Sequence, residues 1–468
     1  MKRVHIVSIC GVAMSALAKI LKDRGYSVTG SDEDVHPPVT DLLTEYGIPY
    51  VEGHRAENLG DPLPDLVVVG NHAALDNPEV VAAREAGLPI LSLPQMLHEL
   101  LADYEPVVVT GTHGKTSTCS LLAWMLERAG LDPSFMVGGI PRNLGVNTKL
   151  GSGKLFLLEG DEYLSAKFDR TPKFLYYRPR IGIVMNVALD HINFFSGQEE
   201  YIDAFKRFAA LVPADGLLLA GIDSPNAAQV AAAATSPVQT FGYADGADWQ
   251  ATNVRLEPER SVFDVLHRGQ PYLRDVVLGQ PGRYVLLSAL AAIALARHLG
   301  IPEQTVREAL ATFEGARRRL EMRGEVGGVT VVEDFAHHPT QARTSLETAA
   351  VRFPDRRLWC VYDLHTFSSR NRRYLPDYAQ AFGQAHGVIL PAMHHPEQIP
   401  EEQRMSIPEL TEAIRQTQPN VAYIPNRPEI VTYLADRVQP GDVVLFMSSG
   451  GLEDLIEGLL ETLRQRAG

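Results

Sequence analysis

The apolar run from Val4 to Ile9 gives way at Gly11 to a stretch with helical spacing from Met14 to Asp23, and a second apolar run follows from Tyr26 to Thr29. Short runs bounded by turn residues predict strands and a repeat near 3.6 predicts a helix, so the chain opens as a βαβ unit. Further strands are predicted at Asp65 to Gly70 and Ile90 to Ser92, and the polar stretch from Ala102 to Pro106 closes this unit.

A second unit opens with the apolar strand Val107 to Thr110, which feeds a glycine turn and then a helix from about Thr116 to Ala129, ended by Gly130. Strands follow at Leu155 to Glu159 and Ile181 to Asn186. Between Leu217 and Arg283 the pattern is short and strand-like, before an Ala/Leu-rich helix from Leu286 to Leu299 that reads as buried. After Phe313, GARRRLEMRGEVGGVTVVEDFAHHP holds an interdomain joint. Beyond it, strands at Val329 to Glu333, Leu358 to Tyr362, Gly387 to Leu390 and Val443 to Met447 alternate with helices. The fold class is therefore α/β in three domains: 1–104, Rossmann-like; 105–316, a central P-loop ATPase-like mononucleotide-binding domain; and 317–468, Rossmann-like again.

Composition acts mainly by exclusion. The 43 Lys and Arg against 57 Asp and Glu give a formal charge of −14 with no basic block, which argues against a nucleic-acid or anionic-membrane partner. Cys10, Cys119 and Cys360 are far apart and odd in number, so neither a disulfide framework nor a zinc pattern is predicted. MKRVHIVSICGVAM runs straight into a strand pattern and no apolar run reaches about 18 residues, so a cytoplasmic protein without a membrane anchor is expected.

The densest chemistry lies at Gly111 to Thr118, GTHGKTST, between a strand and a helix. Backbone N–H groups of Gly111, Thr112, His113, Gly114 and Ser117 can surround a phosphate, with Lys115 as the point charge and Thr116 on magnesium. A lysine in such a loop is expected to be solvated, so Lys115→Ala should leave the fold intact. EGDE, Glu159 to Glu162, ends a strand where open sheets place ligands, and Glu162 is the preferred cation ligand. Asp190 and His191 follow the strand ending at Asn186, which makes His191 a second candidate ligand.

Arg317, Arg318 and Arg319 sit at the joint, where a guanidinium could reach a γ-phosphate. Asp334, His337 and His338 follow a strand, with Pro339 placed to start a helix, and suit a nucleotide-contacting loop. Arg370, Arg372 and Arg373 form a basic loop suited to a substrate carboxylate. A dehydrogenase reading of the first unit is weak, because SICGVAMSA lacks GxGxxG.

In this order GTHGKTST, EGDE, the Asp190–His191 turn, ARRRLE and EDFAHHP resemble the Mur ligases, cytoplasmic enzymes that add amino acids or peptides to UDP-N-acetylmuramate; the match covers essentially the whole chain. The resemblance implies that ATP phosphorylates the muramyl carboxylate and an amine displaces the phosphate. It assigns Lys115, His191 and Arg319 to catalysis, Thr116, Glu162 and His191 to Mg2+, and Asp334 with the loop to ATP. Gly11, Ser31 and Asp32 would hold the UDP-sugar, and His337, Arg370 and Arg372 would lie near substrate.

HIVSICGVAMSALA, SDEDVHPP, PQMLH, GGIP, KFLYYRP, FEGARRRLEMRGE and MSSGG resemble members that attach L-alanyl-γ-D-glutamyl-meso-diaminopimelate, whereas HTFSS resembles members that attach L-alanine. The family's GxHNxxN segment is replaced here by GRYVLLS, with Tyr284, Val285 and Ser288 where polar adenine contacts usually stand. A nucleotide-binding relative without ligase activity is the alternative this raises. Phe205 occupies the place of the lysine that several members carbamylate, and Lys206 is one step off.

Overall fold

A computed structural model describes residues 2–35, 39–71 and 73–467; the last three residues of SDEDVHPP lie outside the described residues. Three large sheets organise the chain, beside a two-stranded one formed by Leu164–Ala166 and Asp169–Pro172. The first is wholly parallel, in the order Tyr50–Glu52, Ser27–Asp32, Arg3–Val7, Leu66–Val69, Ile90–Ser92. Val4, Ile6, Val7 and Leu66 to Val69 are all buried, as expected of strands covered by helices on both faces. Arg3–Val7 has later strands on both sides, which makes the loop after it a topological switch point. Ser8, at φ 65°, turns the chain out of the sheet, so the strand stops short of Ile9.

The central sheet has ten strands, and Glu105–Thr110 lies between Ile181–Val184 and Leu155–Gly160, all parallel. The loops that leave these strands, carrying Gly111, Asp161 and Met185, therefore emerge at one edge. An antiparallel ribbon, Trp249–Leu256, Ser261–His267 and Gln270–Leu278, extends the sheet. One face is covered by the helices Lys115–Arg128 and Arg283–His298; the latter is buried continuously from Ser288 to Ala296.

The other face receives a helix that the sequence pattern did not announce, Gln198–Ala210. It buries Tyr201, Phe205 and Phe208, and Phe205 packs edge-on against Phe174 with ring centres 5.3 Å apart. Phe205 is therefore a core residue, contributing about 2 kcal/mol by burial alone. A second helix, Pro225–Ala231, interrupts the strand-like region after Leu217.

The third sheet runs Glu321–Val326, Val329–Asp334, Val443–Met447, Leu358–Tyr362, Gly387–Leu390, Val421–Tyr423, with only the first strand antiparallel. Among the described residues, no helix is long and apolar enough to cross a membrane.

Candidate active site

The turn after Glu105–Thr110 needs its glycines. Gly111 has φ 137° and Gly114 φ 94°, conformations that side chains resist. A Cβ on Gly111 would stand 3.0 Å from the backbone N and O of Asn186, and one on Gly114 would stand 3.1 Å from the Tyr284 hydroxyl. Asn186 holds the loop from beneath. Its Oδ1 accepts from His113 N at 3.0 Å, its Nδ2 donates to His113 O at 2.8 Å, and its carbonyl accepts from Thr112 N at 3.1 Å. The Thr112 hydroxyl donates to Ala188 O at 2.7 Å. No side chain caps the helix Lys115–Arg128, so its first N–H groups remain available to an anion.

Lys115 is not solvated as the sequence suggested. Its Nζ donates to Gly111 O at 2.7 Å and to Glu162 Oε2 at 2.9 Å, and Glu162 is wholly buried. Glu162 Oε1 accepts from the Tyr201 hydroxyl at 3.1 Å and lies 3.2 Å from His191 Nε2. Burial opposes its charge, but Lys115 and His191 prevail and hold the carboxyl down at about 2. His191 behaves oppositely: burial disfavours its charge, yet Asp190 and Glu162 raise its pKa above the ordinary value. At φ 50° its backbone is left-handed, and Asp190 Oδ1 accepts from its N–H at 2.7 Å.

Glu159 has a different balance. It accepts from Gly138 N at 2.7 Å and from the Thr116 hydroxyl at 3.2 Å, yet burial and then the neighbouring Asp161 raise its carboxyl above the usual range. It is an underneutralised acid beside Thr116, and the sequence reading passed over it in favour of Glu162.

The C-terminal domain supplies the rest. Arg319 lies over the Phe335 ring at 4.9 Å and reaches the Thr116 hydroxyl at 3.5 Å. Arg318 instead pairs with Glu333 at 2.6 Å, while the Arg317 backbone bonds to Ile140 O at 2.9 Å. Ser368 donates to Asp190, and the Tyr374 hydroxyl donates to Leu189 O at 3.0 Å. Asp334 is buried and accepts from Leu320 N, Ala336 N and Ser345, which fixes the loop ahead of His337 and His338.

Two histidine protonation patterns follow from obligatory backbone donors. His338 Nδ1 accepts from Thr340 N at 3.3 Å, so its proton sits on Nε2. Gln341 Oε1 accepts from the backbone of His337 and His338, so its Nε2 donates to His113 Nδ1 at 3.0 Å and the His113 proton is on Nε2 as well. Both Nε2 atoms are buried without a partner, and the two rings stand 5.1 Å apart. Burial first, then the His338 ring, depresses the His113 pKa strongly, and burial lowers that of His337 to about 4. Two neutral N–H donors, one from each of two domains, are thus left buried and unpartnered beside each other.

The remaining candidates lie elsewhere. Gly11 begins the helix Val12–Asp23, and Asp32 accepts from Cys10 N at 2.7 Å, both at the switch point of the first sheet. Ser31 is buried and bonded to Glu79 and, at 3.0 Å, to His54. Arg370 was expected to face a substrate carboxylate; its guanidinium instead donates to the carbonyls of His394 at 2.7 Å, His395 at 2.8 Å and Thr366 at 3.2 Å, and to Gln398. Arg372 is exposed and pairs with Glu409 at 3.0 Å. Of the residues that stand where the resemblance placed adenine contacts, Tyr284 covers Gly114 and Ser288 bonds Thr118 at 2.8 Å.

Sequence reasoning missed Asn186, Gln341, Ser368 and Tyr201 as site residues. Asn186 carried a signal, since it ends a strand beside the glycine turn.

Family models match three stretches of the chain: Mur ligase family, catalytic domain, at residues 3–105; Mur ligase middle domain at 109–296; and Mur ligase, glutamate ligase domain, at 318–450. The chain is 34% identical to UDP-N-acetylmuramate–L-alanine ligase of Geobacter sp. (strain M21), over 99% of this chain and 98% of that one. It is 36% identical to UDP-N-acetylmuramate–L-alanyl-γ-D-glutamyl-meso-2,6-diaminoheptandioate ligase of Escherichia coli (strain K12), over 99% of each. A solved UDP-N-acetylmuramate–alanine ligase from Thermotoga maritima superposes with a TM-score of 0.82 over all of both chains at 25% identity. Matched end to end in sequence and in architecture, this chain belongs to the Mur ligase family, ATP-dependent ligases that form C–N bonds.

Proposed function

We propose that the protein joins the tripeptide L-alanyl-γ-D-glutamyl-meso-diaminopimelate to UDP-N-acetylmuramate through an acyl phosphate, in the cytoplasm. The observation that carries the site assignment is convergence: Lys115, Thr116 and His113 on the central loop meet Arg319 and His338 from the C-terminal domain. ATP supplies the phosphoryl group. The muramyl carboxylate oxygen takes it with loss of ADP; the amine nitrogen then attacks the carbonyl carbon, phosphate leaves, and the nitrogen sheds its proton.

This chain's contribution is positioning and charge neutralisation. Lys115 turns from Glu162 to the phosphates, the Nε2–H groups of His113 and His338 donate to phosphoryl oxygens, and Arg319 offsets charge on the side facing the third domain. Thr116, Glu162 and His191 would hold Mg2+, which neutralises phosphate charge. The donor set fits a hard cation: Thr116 and Glu162 offer oxygen, and the buried Glu159, its carboxyl raised by burial and by Asp161, stands 3.2 Å from the Thr116 hydroxyl. Gly11, Ser31 and Asp32 would hold the UDP-sugar, Ser31 from a buried position, and His337 would lie near substrate.

The tripeptide is supported by the identity to the E. coli relative and by the N-terminal and GGIP segments. L-Alanine is the second reading, favoured by HTFSS and by the superposition with the Thermotoga maritima enzyme. Phosphate release and product mass, measured with UDP-N-acetylmuramate, Mg-ATP and either amine, decide between them. Turnover with the tripeptide is expected; efficient turnover with L-alanine alone would overturn the choice.

A further inference from the structure

A second cluster stands apart from the phosphate loop, at the carboxyl edge of the third sheet. Asp363 directly follows Leu358–Tyr362, His365 lies two residues on, and His394 is in the loop after the adjacent strand Gly387–Leu390. One ligand atom from each lies within 4.8 Å of the others. His394 Nε2 is 3.7 Å and His365 Nδ1 3.8 Å from Asp363 Oδ2. Asp363 is wholly buried, yet its Oδ1 has no hydrogen-bond partner, and His365 Nδ1 is buried without one too. Buried polar atoms left unsatisfied in this way are destabilising, so the cluster is built at a cost the fold itself does not recover.

We propose that Asp363, His365 and His394 bind a first-row divalent metal ion of the Zn2+ type, with a fourth position open to water or an oxygen ligand. Two imidazoles and a carboxylate form a donor set that suits such an ion. Bonds near 2.0 Å to a tetrahedral ion place ligand atoms about 3.3 Å apart, so each of the two measured separations needs to close by only about half an ångström. The surroundings orient the ligands. Ser448 donates to Asp363 Oδ2 at 2.7 Å. Arg370 clamps the carbonyl of His394 at 2.7 Å, which gives that buried guanidinium a purpose. Gly450 leaves room for the His365 ring, since a Cβ there would stand 2.5 Å from Nδ1. Both histidines are partly exposed, which gives the ion a way in.

The test uses the full-length protein, with excess Mg-ATP occupying the phosphate site, titrated with Co2+ alone as the probe. Wild type should bind one equivalent and show the visible bands of low-coordinate Co2+. His394→Ala, at a partly exposed position, and Asp363→Asn should lose those bands while retaining the wild-type circular dichroism. Ser448→Ala should keep them with binding weakened about tenfold, the effect expected of a group that orients a ligand. Absence of the bands in wild type, or their persistence in both His394→Ala and Asp363→Asn, would overturn the proposal. If Asp363→Asn misfolds, His394→Ala decides alone.

Discussion

Glu162 in the central domain and Glu79 in the N-terminal domain are both wholly buried, and both are held ionised with pKa values near 2. They achieve it differently. Burial opposes the charge of Glu79, and fixed donors overcome it: His5 and His54 at 3.4 Å, Ser31, Asn58 and the Arg55 N–H at 3.3 Å. Glu162 depends instead on Lys115 and His191, side chains with a use elsewhere. The same ionisation state thus marks a structural keystone in one domain and a poised charge in the other. What separates them is whether the partners can leave.

The sharpest way to break the comparison is to remove a partner from each. Lys115→Ala strips Glu162 of its cation and the phosphates of theirs. Turnover should fall about a thousandfold or more, the scale of losing a preorganised charged donor. Stability should also drop by up to about 3–5 kcal/mol, the range for breaking a buried ion pair, because Glu162 Oε2 loses its cation and only His191 and Tyr201 remain, both on Oε1. Steady-state phosphate release and urea melts of the same preparation check both effects. A variant as stable as wild type would show Glu162 content with His191 and Tyr201 alone.

Glu79→Ala should do the reverse. Stability falls by about 3 kcal/mol as His5, Ser31 and Asn58 lose their shared acceptor, while kcat of the folded fraction stays within about threefold. A kcat loss matching that of Lys115→Ala would erase the distinction between keystone and poised charge.

Acid unfolding probes the same pair. Each folded pKa lies near 2, below an ordinary value of 4.5, so the stability each confers is complete above about 4.5 and is lost as pH falls towards 2. Each carboxylate accounts for roughly 3 kcal/mol over that window. Urea melts of Glu79→Gln between pH 5 and about 2 should show a visibly shallower fall than wild type. An unchanged slope would mean that Glu79 is not ionised in the fold.

These differences were only partly legible in the sequence. The glycine turn was readable because its demands are local: Gly111 and Gly114 occupy backbone conformations that other residues resist, and a strand precedes them. Glu79 gave no signal, since one acid at the start of a helix looks solvated until Ser31 and Asn58 arrive from elsewhere in the chain. Gln341 and Ser368 were invisible for the same reason, because each acts on a residue more than 170 positions away. Arg370 was legible as a basic loop residue, but sequence does not say whether a guanidinium faces a ligand or its own backbone. The helix Gln198–Ala210 was hidden by its charged face, although Tyr201, Phe205 and Phe208 repeat at helical spacing.

The smallest expected effect concerns how the C-terminal domain is held against the poised site. Ser368 donates to Asp190, whose other contact on the same oxygen is the His191 N–H, so one hydroxyl links the third domain to the residue that sets the His191 charge. Ser368→Ala removes a bond to a charged acceptor, about 1.5–3 kcal/mol in general, but Tyr374 and Gln341 still bridge the domains. The predicted outcome is a loss of stability near 1 kcal/mol and a severalfold rise in KM for ATP with little change in kcat, because closure is weakened while the chemistry is untouched. Asp190 keeps its charge in this variant, because His191, His338 and His337 all favour its ionised form more strongly than Ser368 does, so the raised pKa of His191 is retained. The pH–rate profile of Ser368→Ala should therefore superimpose on that of wild type. A displaced profile would tie Ser368 to the charge on His191 rather than to domain docking alone.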